Sequence, residues 1–113
     1  MGTQALTGVA ARSIILMRII AKRTLREFWK RKPSAKGDLQ AWHAEVKQAD
    51  WASPADVKAQ YGQASILKDG RAVFNIGGNK FRLVVWINYA FRIVYIRFVG
   101  THEEYDEIDA QAI

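Results

Sequence analysis

The spacing of apolar residues changes character once along the chain. Residues 17–21, MRIIA, read as a short strand, and the segment after it repeats at helical spacing, with Leu25, Phe28 and Trp29 on one face of a helix of about ten residues. Pro33 ends that helix, because proline disfavours helical geometry in the residue before it. A second helix is expected over Lys36 to Gln48, where Leu39, Trp42, His43 and Val46 recur on one side. Ser53-Pro54 then opens a short third helix, serine as cap and proline at the first helical position, closed by Gly62. From Ala64 the period becomes two. Asp69-Gly70 and Gly77-Gly78 are two-residue hairpin signals between runs of β-formers, and Ala90-Phe91 turns the chain between two further strands without a usual turn residue. The expectation is α+β: a short strand, two or three helices, then a four-stranded antiparallel meander with helices on one face.

Two-residue turns let the cross-strand pairs be counted, since side chains alternate between sheet faces. Across the last hairpin Ile87 meets Val94, Val85 meets Ile96 and Leu83 meets Phe98, an apolar set that faces the helices. The opposite face receives Trp86 with Tyr95, Val84 with Arg97, and Arg82 near Val99. Across Gly77-Gly78 it gains Asn75 beside Lys80, Val73 beside Arg82 and Arg71 beside Val84. Arg71, Asn75, Lys80, Arg82 and Arg97 would then surround Trp86 and Tyr95. Cations among flat rings suit single-stranded RNA, because rings stack on bases while charged groups hold phosphates. The alternative is an ordinary solvated face whose rings pack against the carboxy-terminal helix or a partner.

Charge sharpens this picture. Residues 101–113 carry five acids and no Lys or Arg, leaving residues 1–100 with 17 cations against six acids, a net +11. Such a body attracts polyanions. With no cysteine, the chain has neither disulfides nor thiolate chemistry, which fits a reducing compartment. At 113 residues it has room for one domain. Residues 1–16, MGTQALTGVAARSIIL, lack the basic start of a signal peptide, and the apolar run between Arg12 and Arg18 is too short to span a membrane. Myristoylation fails because Leu6 stands where Ser or Thr is needed. These residues are read as an extension ahead of a domain that begins at Met17.

The stretch FVGTHEEYDEI, residues 98–108, holds the candidate chemistry. Thr101 and Glu104 form a capping box, so a helix starts at His102 and brings Tyr105 onto the same side. Strand geometry carries this pair toward Lys80 and Arg82. A histidine at a positive helix end among cations holds its proton less tightly, while nearby carboxylates oppose that effect. Capping alone accounts for Thr101 and Glu104, and Tyr105 has packing as an alternative role. His43, beside Trp42, reads as a core-edge residue. No paired-cysteine, HExxH or carboxylate cluster has metal-ligand spacing, and GGNK lacks the full phosphate-loop pattern, so the expected chemistry uses neither metal nor cofactor.

The segments NKFRLV (residues 79–84) and RFVGTHEEYDEIDA (residues 97–110) carry a resemblance that extends from Met17 to about Ala110. The chain resembles the HigB family of toxins within the RelE-like superfamily. That resemblance implies a RelE-like single domain and a cytoplasmic mRNA interferase of a type II toxin–antitoxin pair. Such a toxin cuts messages on the translating ribosome without metal and is neutralised by a helix-turn-helix antitoxin. The matching positions are Asn79, Lys80, Arg82, Arg97, His102 and Tyr105. His102, Tyr105, Arg82, Arg97 and Lys80 would be the catalytic set, and Arg71, Asn75, Asn79, Trp86 and Tyr95 would contact RNA. The Ala90–Arg92 turn and the bulky Trp86 depart from the family pattern. Two other readings are a non-catalytic RNA- or ribosome-binding module and a gyrase-inhibiting toxin resembling the ParE group.

Overall fold

A computed structural model describes residues 16–113. The extension expected over residues 1–16 lies outside the described residues except for Leu16. The order is β1 (Arg18–Ile20), α1 (Lys22–Arg31), a 3-10 turn (Pro33–Ala35), α2 (Lys36–Lys47), α3 (Pro54–Gln60), β2 (Ser65–Ile66), β3 (Arg71–Ile76), β4 (Phe81–Asn88), β5 (Ile93–Thr101) and α4 (His102–Asp106). Among the described residues no helix is long and apolar enough to cross a membrane.

The fold is α+β, with one five-stranded sheet ordered β1-β5-β4-β3-β2. The four carboxy-terminal strands form the expected meander, and β1 returns as an edge strand parallel to β5. Leu25 and Phe28 on α1, Leu39, Trp42 and Val46 on α2, and Val57 on α3 are buried against Phe74, Leu83, Val85, Ile87 and Val94 of the sheet. Phe28 meets Phe81 edge-on at 5.5 Å, and Trp42 meets Phe74 at 5.4 Å, so aromatic pairs join the helical layer to the strands. Proline opens α3 as expected, yet Ser53 makes no side-chain cap bond; Asp56 instead accepts from the N–H of Ala52 at 2.8 Å.

Two strand registers differ from a count based on two-residue turns. Ile76 pairs with Phe81, so the loop between β3 and β4 is Gly77–Lys80 rather than Gly77-Gly78 alone. Asn75 therefore faces Arg82, Val73 faces Val84 and Arg71 faces Trp86. This slip is by two residues, so every side chain keeps its face. The second difference does not preserve faces. Ile87–Val94, Val85–Ile96 and Trp86–Tyr95 pair as counted, but a bulge between Val84 and Val85 leaves Arg97 without a cross-strand partner. Beyond it Val84 meets Phe98, Leu83 meets Val99 and Arg82 meets Gly100. Phe98 is thereby turned away from the helical layer.

The second sheet face is consequently not a bare basic surface. Val73, Val84 and Ala110 form a small buried cluster, against which Leu67, Phe98, Tyr105, Ile108 and Ile113 pack. The chain after α4 lies over this face. Gln111 accepts from the N–H of Lys68 and donates to its carbonyl, and Arg71 Nε donates to the Ile113 carbonyl at 2.7 Å.

Candidate functional site

The candidate site is built where β5 ends. Thr101 Oγ1 accepts from the Glu104 N–H at 3.1 Å, and Glu104 Oε1 accepts from the Thr101 N–H at 2.8 Å, so both arms of the capping box are made. The helix starts immediately at His102, whose own N–H donates to the Lys80 carbonyl at 3.2 Å. The loop carrying Asn79 and Lys80 is thus tied to the first turn of α4.

Arg82 extends from the adjoining strand. Its guanidinium donates to the Asn79 side-chain oxygen at 2.8 Å and to the Asn79 and Phe81 carbonyls at 3.2 and 3.3 Å. The same group lies 5.9 Å from the centre of the Tyr105 ring. Its strand partner Gly100 has no side chain, and a Cβ there would lie 2.5 Å from the Phe98 ring. The missing side chain leaves room for the Phe98 ring and the Glu104 carboxylate.

The His102 side chain is 46% exposed, with Nδ1 3.2 Å from Asp106 Oδ2 one helical turn on. Asp106 thus lies beside Nδ1, and Nε2 has no hydrogen-bond partner among the described residues. Glu104 is held below the usual carboxylate range by the Thr101 backbone N–H and then by Arg31, which approaches from α1 at 3.0 Å. The ion pair brings the basic end of α1 against α4.

The geometry divides the expected RNA face in two. Asn79, Lys80, Arg82, His102 and Tyr105 come together, with Asn75 beside Arg82 across the β3–β4 pair. Arg97 is exposed at the bulge in β5, without an ion pair among the described residues. Arg71, Trp86 and Tyr95 lie elsewhere. Trp86 is roughly 13 Å along β4 from Arg82 at the rise of a strand, stacks obliquely on Tyr95 at 5.1 Å, and donates Nε1–H to the Asp69 carbonyl at 2.7 Å. Arg71 is engaged with the Ile113 carbonyl. The single array of cations around Trp86 and Tyr95 is therefore corrected: Val73, Val84 and Phe98 fill the ground between the two groups.

Sequence reasoning passed over Asp106 and Arg31. The first was legible as the residue four after His102 on a short helix. The second was not, because its partner Glu104 is 73 residues away in sequence. His43 is half-buried at the core edge, and burial, with Lys22 and Lys47 nearby, lowers its proton affinity. No three His, Cys, Asp or Glu side chains gather as a metal site among the described residues.

Comparison with known proteins adds independent evidence. Residues 35–108 match the family model described as HigB toxin, the RelE-like toxic component of a toxin–antitoxin system. The chain is 32% identical over 92 residues to the mRNA interferase toxin HigB of Escherichia coli K12, covering 80% of this chain and 88% of that protein. The mRNA interferase HigB of Shigella flexneri matches with the same figures. A second Escherichia coli mRNA interferase HigB, from strain CFT073, is 23% identical over 94 residues, 81% of this chain and 91% of the relative.

Proposed function

This chain belongs to the HigB family of RelE-like toxins, and from that premise we propose that it is an mRNA interferase cutting messages on the translating ribosome. The supporting observation is the meeting of Lys80, Arg82, His102 and Tyr105 at the end of the sheet, where His102 is exposed and bonded through its backbone to Lys80. The relatives named mRNA interferases cover most of the chain.

In the proposed reaction the ribose 2′-OH attacks the adjacent phosphorus, forming the P–O2′ bond and breaking the P–O5′ bond. The products are a 2′,3′-cyclic phosphate and a 5′-OH. The nucleophile belongs to RNA itself, so the protein must position it, move protons and hold charge. One proton leaves the 2′-OH and one reaches the departing O5′. His102 serves as acid or base through Nε2, with Asp106 orienting the ring from the other side. Lys80 and Arg82, with Arg97, hold the phosphate oxygens, since guanidinium and ammonium donors gain strength against an anion. Tyr105 stacks on a base or orients the reacting group. Asn79 and Asn75 flank the path of the strand. No metal or cofactor is assigned a step.

The toxin–antitoxin family implies an antitoxin. We assign it the helix-turn-helix class and place the toxin in the cytoplasm, where translating ribosomes are found. The test is a translation reaction with wild type and His102→Gln, mapping message breaks and assaying cyclic-phosphate ends. Breaks with such ends from wild type alone agree with the proposal. Intact message, or full cleavage by the variant, overturns it.

A further inference from the structure

A cavity lies away from His102. The outer edge of β1 and the side of α2 enclose a cavity of about 330 Å³ lined by Met17, Arg18, Ile19, His43 and Lys47. The segment Ile93–Tyr95 is the part of β5 that pairs with β1, and from Tyr95 to Thr101 is roughly 20 Å along that strand.

Backbone chemistry on this edge is incomplete. Arg18 donates toward β5, to the Arg92 carbonyl at 2.8 Å, whereas Met17 donates outward, to the Ala49 carbonyl at 2.9 Å. Successive residues of a strand direct their hydrogen-bonding groups to opposite sides, so the N–H and C=O of Ile19 point outward, as Met17 does. Neither has a backbone partner among the described residues. Unpaired strand-edge groups are a template for another strand.

The side chains define what that strand should be. Arg18, Lys22 and Lys47 form no ion pair among the described residues. His43 stands among them, its proton affinity lowered by burial and by the charges of Lys22 and Lys47. The nearby acid Asp50 is already taken by Arg92 at 2.6 Å. Met17 and Ile19 supply an apolar floor.

We propose that this groove binds an extended acidic segment of the antitoxin, which adds a strand to β1 and sets its carboxylates against Arg18, Lys22 and Lys47. A peptide fits better than RNA, because an extended peptide presents N–H and C=O groups at the strand repeat to the edge of Ile19 and apolar side chains to the floor, whereas RNA brings a phosphate backbone without that repeat. Charge complementarity selects an acidic chain. The inference rests on membership of a toxin–antitoxin family. It does not depend on message cleavage, since the groove is remote from His102.

The experiment compares the full chain with its Arg18→Glu/Lys47→Glu and Lys47→Ala variants, binding each to the purified antitoxin and, separately, to a fluorescent single-stranded RNA. Amide exchange at Ile19 is followed in free and bound protein, and thermal melting checks that each variant is folded. The expected result is antitoxin affinity weakened at least about tenfold by the charge reversal, a smaller loss for Lys47→Ala, and Ile19 slowed in exchange only in the complex. Unchanged antitoxin affinity overturns the proposal. So does selective loss of RNA binding, or an Ile19 amide already protected in the free chain. Failure of message cleavage with these binding results intact would count against the nuclease reading alone.

Discussion

The backbone N–H of His102 donates to the carbonyl of Lys80 at 3.2 Å, fastening the first residue of α4 to the β3–β4 loop. Two residues far apart in sequence are held at one sheet end by main-chain geometry, before either side chain acts. This arrangement lets side-chain substitutions probe chemistry apart from architecture.

Replacing His102 with Gln should reduce cleavage at least about a hundredfold, the lower range for a lost general acid or base. The side chain is half exposed, so stability should move by no more than about 0.5 kcal/mol. Parallel cleavage assays and urea denaturation separate the two effects. A large stability loss would mean that the imidazole is structural.

Thr101→Ala removes the hydroxyl arm of the capping box and should cost about 1 kcal/mol, with Thr101→Ser close to wild type. Fraying of α4 would also lower activity by misplacing His102. Chemical denaturation of the three proteins measures the first effect, and initial cleavage rates the second.

Glu104 gives a pH signature. Its carboxyl is held below the usual carboxylate range, first by the Thr101 N–H and then by Arg31, so the unfolded chain binds this proton more readily than the folded one. Its stabilising contribution is complete above the unfolded carboxylate range and is lost as pH falls through the lowered folded value. Glu104→Gln should therefore flatten stability against pH below the usual carboxylate range. An unchanged slope in acid denaturation would show that Thr101 and Arg31 do not favour the ionised form.

Gly100→Ala places a Cβ 2.5 Å from Phe98 Cζ and 3.0 Å from Glu104 Oε1. The Phe98 ring packs in the second apolar cluster, so accommodating the methyl should cost roughly 1–3 kcal/mol. Adding Phe98→Leu should recover part of that loss. Simple additivity of the two single changes would exclude the collision as the cause.

Arg71 and Arg82 provide a contrast on one face. Arg71→Met should cost about 1–2 kcal/mol through loss of the bond to the Ile113 carbonyl while leaving cleavage intact. Arg82→Met should abolish cleavage by removing the phosphate donor from the site. RNA crosslinking combined with denaturation distinguishes the roles. Equal loss of RNA contact in both variants would restore a single continuous RNA face.

The strongest local patterns determined much of the molecule. Thr101 and Glu104 announced the last helix because a capping box needs only four consecutive residues. Apolar spacing placed Leu25, Phe28, Leu39, Trp42 and Val46 in the core, and strand alternation correctly put Arg82 and Trp86 on the face opposite Leu83 and Val85. Even the misjudged Gly77–Lys80 loop did no harm to that face, since a slip of two residues preserves strand parity.

Tertiary structure decided the bulge at Arg97, the reversal of Phe98, the cover supplied by Ile108 and Ile113, and the pairing of Arg31 with Glu104. One extra residue in a strand exchanges its faces, and whether a ladder accommodates it depends on closing the sheet against two apolar layers at once. That balance of long-range contacts is not encoded in any short window of sequence. It separates Arg82 from Arg71 and gathers the candidate chemistry at one end of the sheet.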